Sequence, residues 1–222
     1  MNKLFKKIKS TIRGIEKILL CIPRKIRFKQ LLNSDFTIIS NNCWWWFVYE
    51  YLGLPYKSPF VWLFLFPECY LELLENFQYF ISKELIFIKV TESKYYDQIK
   101  LWDKLGYPIG LLDGRIEIHF LHYSDEKESK EKWDRRKKRI NYDNIIAKFS
   151  EWMTSYPHLI QRFDSLIFKN KICFSYNTKY TYKSVLFISK RNRIQWKDEW
   201  IETKNLGIVR LLNQLNLNRW TK

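Results

Sequence analysis

The chain has little of what stiffens small extracellular domains or builds metal clusters. Its four cysteines, Cys21, Cys43, Cys69 and Cys173, form no CxxC pair and follow no regular spacing. Disulfide frameworks are denser than this and structural zinc sites use paired ligands, so reduced thiols in the cytosol are expected. Six glycines and six prolines in 222 residues are too few for a linker-like or collagenous chain. No GxGxxG or Walker-type loop is present, which leaves a dinucleotide or P-loop assignment without support. Only three histidines occur. No HExxH pattern supports a helical zinc site and no carboxylates gather beside His119 and His122, so no metal is expected. The longest apolar run, Phe60 to Phe66, is far below the roughly 20 residues that cross a bilayer. The earlier stretch from Ile15 to Ile22 is interrupted by Glu16 and Lys17 and precedes no small-residue cleavage site. It does not read as a secretory signal.

Aromatic residues and cations are abundant. Apolar residues make up 46% and aromatics 18% of the chain, enough to offset the entropy of ordering one large domain. The formal net charge of +16 is local. Residues 1–30 carry ten basic side chains against Glu16, a net of +9, and Lys130 to Arg139 carries a net of +5. The remaining +2 leaves a nearly neutral body. Leu4, Ile8, Ile12, Ile15 and Leu19 recur at helical spacing with cations on the other face, which predicts a basic amphipathic N-terminal helix. Such a face either lies on an anionic membrane surface or packs on the domain by its apolar stripe. Residues 1–31 are therefore an extension and 32–222 a single domain. Nucleic acid is an unfavoured partner, since the aromatics sit in apolar runs and are not interleaved with cations.

Along the domain, strand and helix signals alternate. Asp35 to Ser40 reads as the first strand, and a helix runs from the Asn41-Asn42 turn to Gly53. Phe60 to Phe66 reads as either a buried strand or a short helix. Pro67 opens a helix reaching Phe80, and Leu85 to Val90 is a strand. Tyr107 to Tyr123 predicts two strands joined at Asp113-Gly114. A charged helix follows from Ser124 to Arg139 with Trp133 inward. Then come a strand at Ile145 to Phe149, a helix at Tyr156 to Leu166, strands at Lys171 to Tyr176 and Val185 to Ser189, and a closing helix from Asn205 to Leu217. This order predicts an α/β protein, a three-layer α/β/α sandwich around a mixed, mostly parallel sheet.

Four segments together resemble a known family. They are FTIISNNCWWWFVYEYLGLPYKSPF at Phe36 to Phe60, YPIGLLDGRIEIHFLHY at Tyr107 to Tyr123, KWDRRKKRINYDN at Lys132 to Asn144, and RFDSLIFKNKICFSY at Arg162 to Tyr176. In order and spacing they resemble the bacterial DUF1919-type family, of unknown function and associated with exopolysaccharide and capsule biosynthesis. The resemblance implies a sandwich fold and work on a surface polysaccharide or its lipid-linked sugar precursor, with acyl transfer from acyl-coenzyme A as one chemistry. It also implies glycines where this chain has Trp45 and Trp46.

The turn Ser40-Asn41-Asn42-Cys43 is the sharpest local signal. Ligands of open α/β sheets bind beyond the carboxyl ends of strands, and a helix N-terminus favours anions. A thiol there is expected to lean toward thiolate, with Ser40, Asn41 and Asn42 donating to an oxyanion or phosphate. The alternative is an ordinary cap with Cys43 packed as a small apolar residue. His122 is the expected general base, ahead of His119, which points to the other face of a regular strand. Asp113 either orients a histidine or binds sugar hydroxyls, or simply serves the turn. Arg135, Arg136 and Arg139, with Asn141 and Asn144, either grip a donor phosphate or form a solvated face. The expected function is a transferase of surface-glycan synthesis with no bound cofactor, held in the cytoplasm or peripherally on the inner face of the cell membrane. The competing readings are a membrane-surface adaptor and a sugar-nucleotide glycosyltransferase.

Overall fold

The computed structural model describes residues 24–102, 105–151, 157–189 and 195–216. The predicted helix over Leu4 to Leu19 lies outside them, as does Cys21. The described end of the N-terminal extension is helical over residues 24–29 (α1) and is fastened to the domain. Arg24 pairs with Glu50 at 3.1 Å, and Arg27 donates to the Tyr51 carbonyl at 2.9 Å while lying over the Tyr51 ring.

The chain then forms β1 (Thr37–Ser40), α2 (Trp44–Leu52), α3 (Pro67–Glu75), α4 (Phe77–Ser82), β2 (Leu85–Ile88), α5 (Tyr96–Ile99), β3 (Ile109–Leu112) and β4 (Ile116–His119). It continues through α6 (Glu126–Lys137), β5 (Ile145–Ser150), α7 (Pro157–Asp164), β6 (Asn170–Ser175), β7 (Val185–Phe187), α8 (Gln195–Leu206) and α9 (Ile208–Asn216). Strands β1-β5-β6-β7 make one parallel sheet, with Ser40 beside Lys148 and Ser150 beside Phe174. The predicted antiparallel strands do not join it. Strands β2-β3-β4 form a second, three-stranded sheet.

Period-two alternation builds the layers. Ile38, Ile146, Ile172 and Phe174 face α2 and α9, where they meet Trp44, Val48, Leu212 and Leu215. Ile39, Ala147, Phe149 and Cys173 face α3, α7 and the second sheet, in a core with Tyr70, Leu74, Ile160 and Phe163. The α/β sandwich therefore holds. No helix among the described residues is long and apolar enough to cross a membrane.

Local signals were obeyed where they were chemical. Gly53 ends α2 at φ 68, Pro67 opens α3, and Asp125 caps α6 by accepting from the Glu128 N–H at 2.8 Å. Asp113 and Gly114 both have positive φ, 52 and 66, in a three-residue loop closed by the Arg115 N–H on the Leu112 carbonyl at 3.1 Å. Three expectations need correction. The Pro67 helix breaks at Asn76 into α3 and α4. The closing helix starts at Ile208, after Gly207 with φ 82, and is preceded by α8, a helix that was not expected. Phe60 to Phe66 is neither strand nor helix but a turn that bridges the two sheets. Leu65 N–H donates to the Asn41 carbonyl at 3.1 Å, while Phe64 exchanges backbone bonds with His119.

Candidate active site

Four segments meet at the carboxyl edge of the parallel sheet. From β5, Lys148 and Ser150 are two residues apart and so share one face, the face that carries the rings of Trp44 and Phe174. The Lys148 ammonium position lies 2.9 Å from Asn42 Oδ1 and 2.6 Å from Glu199 Oε2 of α8, and it contacts Ser150 Oγ still more closely. Lys148 and Glu199 are both fully buried. Burial pushes the Lys148 amine below its usual basicity, with Glu199 opposing that shift.

Asn42 organises the cluster. Its Nδ2 donates to Ser150 Oγ at 2.8 Å and to Glu199 Oε2 at 3.2 Å. Its Oδ1 accepts from Lys148, from the Trp44 N–H at 3.2 Å and from Ser40 Oγ at 3.2 Å. Asn41 faces the Ser150 backbone, accepting from its N–H at 2.9 Å and donating to its carbonyl at 3.1 Å. The turn thus extends the β1–β5 pairing with side-chain amides, which is why two asparagines follow the strand. The second carboxylate oxygen of Glu199, Oε1, is buried with no hydrogen-bond partner among the described residues. One strand over, Ser175 Oγ donates to the buried Glu151 carboxylate, and Tyr176 donates to Asp198 at 3.1 Å.

The structure sets Ser40, Asn41 and Asn42 against Lys148, Ser150 and Glu199, partners absent from the expected site. Lys148 was legible as a cation inside the otherwise apolar run Ile145 to Phe149. Glu199 gave no such signal, because α8 has no clear apolar stripe and its acid is one of many.

The other expected residues go elsewhere. Cys43 stands at the N-terminus of α2 with its thiol directed at the Leu63 carbonyl, 3.8 Å away. Burial raises this thiol to about 12, the reverse of the expected thiolate, because desolvation outweighs the Lys148 charge. His122 lies beyond the end of β4, and its ring packs 4.6 Å from that of Trp62. His119 is fully buried among Phe64, Phe66, Tyr95, Trp102 and Tyr107, and burial depresses it to about 3. Burial thus holds the His119 ring neutral, in a second core away from the carboxyl-edge cluster. Asp113 accepts from Tyr79 at 2.8 Å at the closed end of the hairpin, the end remote from His119 and His122. It serves the turn.

The basic helix is not assembled as a phosphate grip. Arg135 is exposed, whereas Arg136 is buried and donates to Tyr123 Oη at 2.6 Å and to the Val61 carbonyl at 3.3 Å. Arg139 donates to the Tyr56 carbonyl at 3.4 Å. Asn141 and Asn144 both donate to the Asp35 carbonyl, at 3.1 and 3.0 Å, ahead of β1 and β5. They mark the amino edge of the sheet, opposite to the Ser40–Asn42 turn.

Arg136 and Tyr123 instead hold a strained turn. Leu63 N–H closes on the Phe60 carbonyl at 3.3 Å, and Trp62 sits within that turn at φ 67, a conformation that suits glycine. The constraint places the Trp62 ring 4.5 Å from Trp46, which continues through Phe47 to Trp200 as a half-buried aromatic rim. Trp45, by contrast, is core. Because strain and packing oppose each other at Trp62, two truncations separate them. Trp62→Gly is expected to be about 1 kcal/mol more stable than Trp62→Ala in chemical denaturation, since both lose the indole and only alanine keeps the strain. Equal stabilities would mean the turn is not strained.

The chain is 33% identical over 193 residues to an uncharacterised protein of Haemophilus influenzae (strain Rd), covering 86% of this chain and 85% of that one. The model of a domain of unknown function, DUF1919, matches residues 15–222. The chain belongs to the DUF1919 family.

Proposed function

We propose that the carboxyl-edge cluster is the centre of a group-transfer enzyme that moves an acyl group onto a hydroxyl of a surface-polysaccharide precursor. The observation that carries this reading is the fully buried Lys148–Glu199 pair at the ends of parallel strands. Burying an ion pair costs several kcal/mol per charge in desolvation, so folds that need only stability fill such space with apolar residues. Perturbed ionisable groups at the carboxyl edge of a parallel sheet are instead the usual mark of a site.

The inventory suits acyl transfer. It contains an amine of lowered basicity, a hydroxyl in contact with it, and an amide N–H from Asn42 directed at that hydroxyl. Acyl transfer needs a nucleophile, a base and a donor to the developing oxyanion. The glycan acceptor rests on the sequence resemblance, and the rim of Trp46, Trp62 and Trp200 adds support, since ring faces are what pyranoses stack on. The acyl donor in this reading is an acyl-coenzyme A co-substrate.

The test is intact-mass analysis of the full-length protein with a panel of acyl-coenzyme A donors, run with and without capsule oligosaccharides as acceptors. An acyl-sized gain on the protein or the acceptor is expected, and it should be lost in Lys148→Met. No gain on either, with no coenzyme A binding by calorimetry, rules the reading out.

A further inference from the structure

The hydrogen-bond inventory around Ser150 places one proton. A serine hydroxyl has one hydrogen to give and two lone pairs to receive. Ser150 Oγ has two nitrogens against it, Asn42 Nδ2 at 2.8 Å and Lys148 Nζ closer still. No carbonyl or carboxylate oxygen lies within hydrogen-bond reach of that hydroxyl among the described residues. If Lys148 is an ammonium, its three hydrogens go to Asn42 Oδ1, Glu199 Oε2 and Ser150, and the serine proton has no acceptor. If Lys148 is an amine, two hydrogens go to Asn42 and Glu199 and its lone pair accepts the serine proton. Every contact is then used once. Burial of the nitrogen favours the same state, with the Glu199 carboxylate at 2.6 Å opposing it.

We propose that Ser150 is the nucleophile of this site and Lys148 its general base, with an acyl group from a thioester or activated ester as the group taken. This deepens the acyl-transfer reading and rests on it for the identity of the group. Ser150 Oγ attacks the acyl carbon while its proton passes to Lys148 Nζ. The carbon–sulfur bond of the donor breaks, and the leaving thiolate takes that proton, restoring the amine. The acceptor hydroxyl then attacks the acyl-serine, its proton passes to Lys148 and on to Ser150 Oγ, and the ester to serine breaks. Asn42 Nδ2 is placed to hold Ser150 Oγ in position throughout. Ser150 is buried, so donor entry requires the site to open.

An aryl fluorophosphonate separates this from the acyl-transfer reading, because it phosphonylates an activated serine, with loss of fluoride, whatever the natural donor. The full chain is treated and mapped by peptide mass as wild type, Ser150→Ala, Cys43→Ala and Lys148→Met/Glu199→Leu. The last variant removes both charges, so that neither is left buried alone. Labelling of Ser150 that survives Cys43→Ala and slows at least about 100-fold without the amine supports the proposal. An unlabelled Ser150, a label on Cys43, or a rate indifferent to the loss of Lys148 overturns it. Serine labelling without any acyl adduct would retire the acyl donor and leave the nucleophile standing.

Discussion

Glu199→Ala is expected to destabilise the protein by about 3–5 kcal/mol, while Lys148→Met/Glu199→Leu is expected to be nearly neutral. The single change leaves Lys148 buried without the carboxylate it pairs with, and no other carboxylate contacts it among the described residues. The double change exchanges an ion pair for apolar volume facing Trp44 and Phe174, which already flank the lysine. For a domain of this length the single variant should melt roughly 10 °C lower. Its loss should also depend on pH with a definite sign. The folded state holds Lys148 below its ordinary value of 10.5, so the unfolded chain binds the extra proton. Stability therefore rises with pH toward that ordinary value, and more steeply in Glu199→Ala, where nothing opposes desolvation. Equilibrium denaturation across pH 7 to 10 measures this. A single variant as stable as wild type, or a double variant as damaged as the single, would show that the pair is not the closed, dry contact described here.

Acidification should unfold the wild type through His119. Its imidazole is depressed from 6.5 to about 3, so the folded state refuses a proton that the unfolded chain accepts. The stabilisation is complete above pH 6.5 and is lost as the pH falls toward 3, a total of about 5 kcal/mol at most. The nearby Glu117 carboxylate, 3.7 Å from Nε2, does not rescue the charge. It is already engaged by Ser93 Oγ at 2.5 Å and the Lys94 N–H at 2.8 Å. Carboxylates such as Glu75 and Asp35, held low by Arg162 and Lys57, weaken in the same direction but only below their ordinary values near 4. The window from pH 6.5 to 4.5 therefore belongs mainly to the imidazole. His119→Phe/Tyr107→Phe, which also removes the Tyr107 hydroxyl that meets Nδ1, should flatten the stability profile there. An unchanged slope would place the acid-sensitive group elsewhere.

The sequence settled whatever depends on neighbours in the chain. The DG hairpin, the Gly53 and Asp125 caps and the Pro67 start obey local backbone chemistry, so they were legible residue by residue. Short, largely apolar runs likewise announced β1, β5 and β6 and hence an α/β core, because a parallel strand buried on both faces has little choice of side chain. The asparagine turn after β1 was legible as the connection from strand to helix.

Its chemistry was not. Whether a thiol at a helix start becomes a thiolate depends on how much protein covers it, and the fold covers Cys43 enough to reverse the shift. Whether a strand lysine is a defect or a centre depends on what faces it, and Glu199 arrives from 51 residues away along the chain. The arginine helix looked like a phosphate grip, yet tertiary contacts turned Arg136 toward Tyr123 and Val61 to hold a strained tryptophan. Charge, burial and contact partners are set by long-range packing. Sequence pointed to the turn at the end of the first strand, and only the tertiary structure decided which side chains meet there.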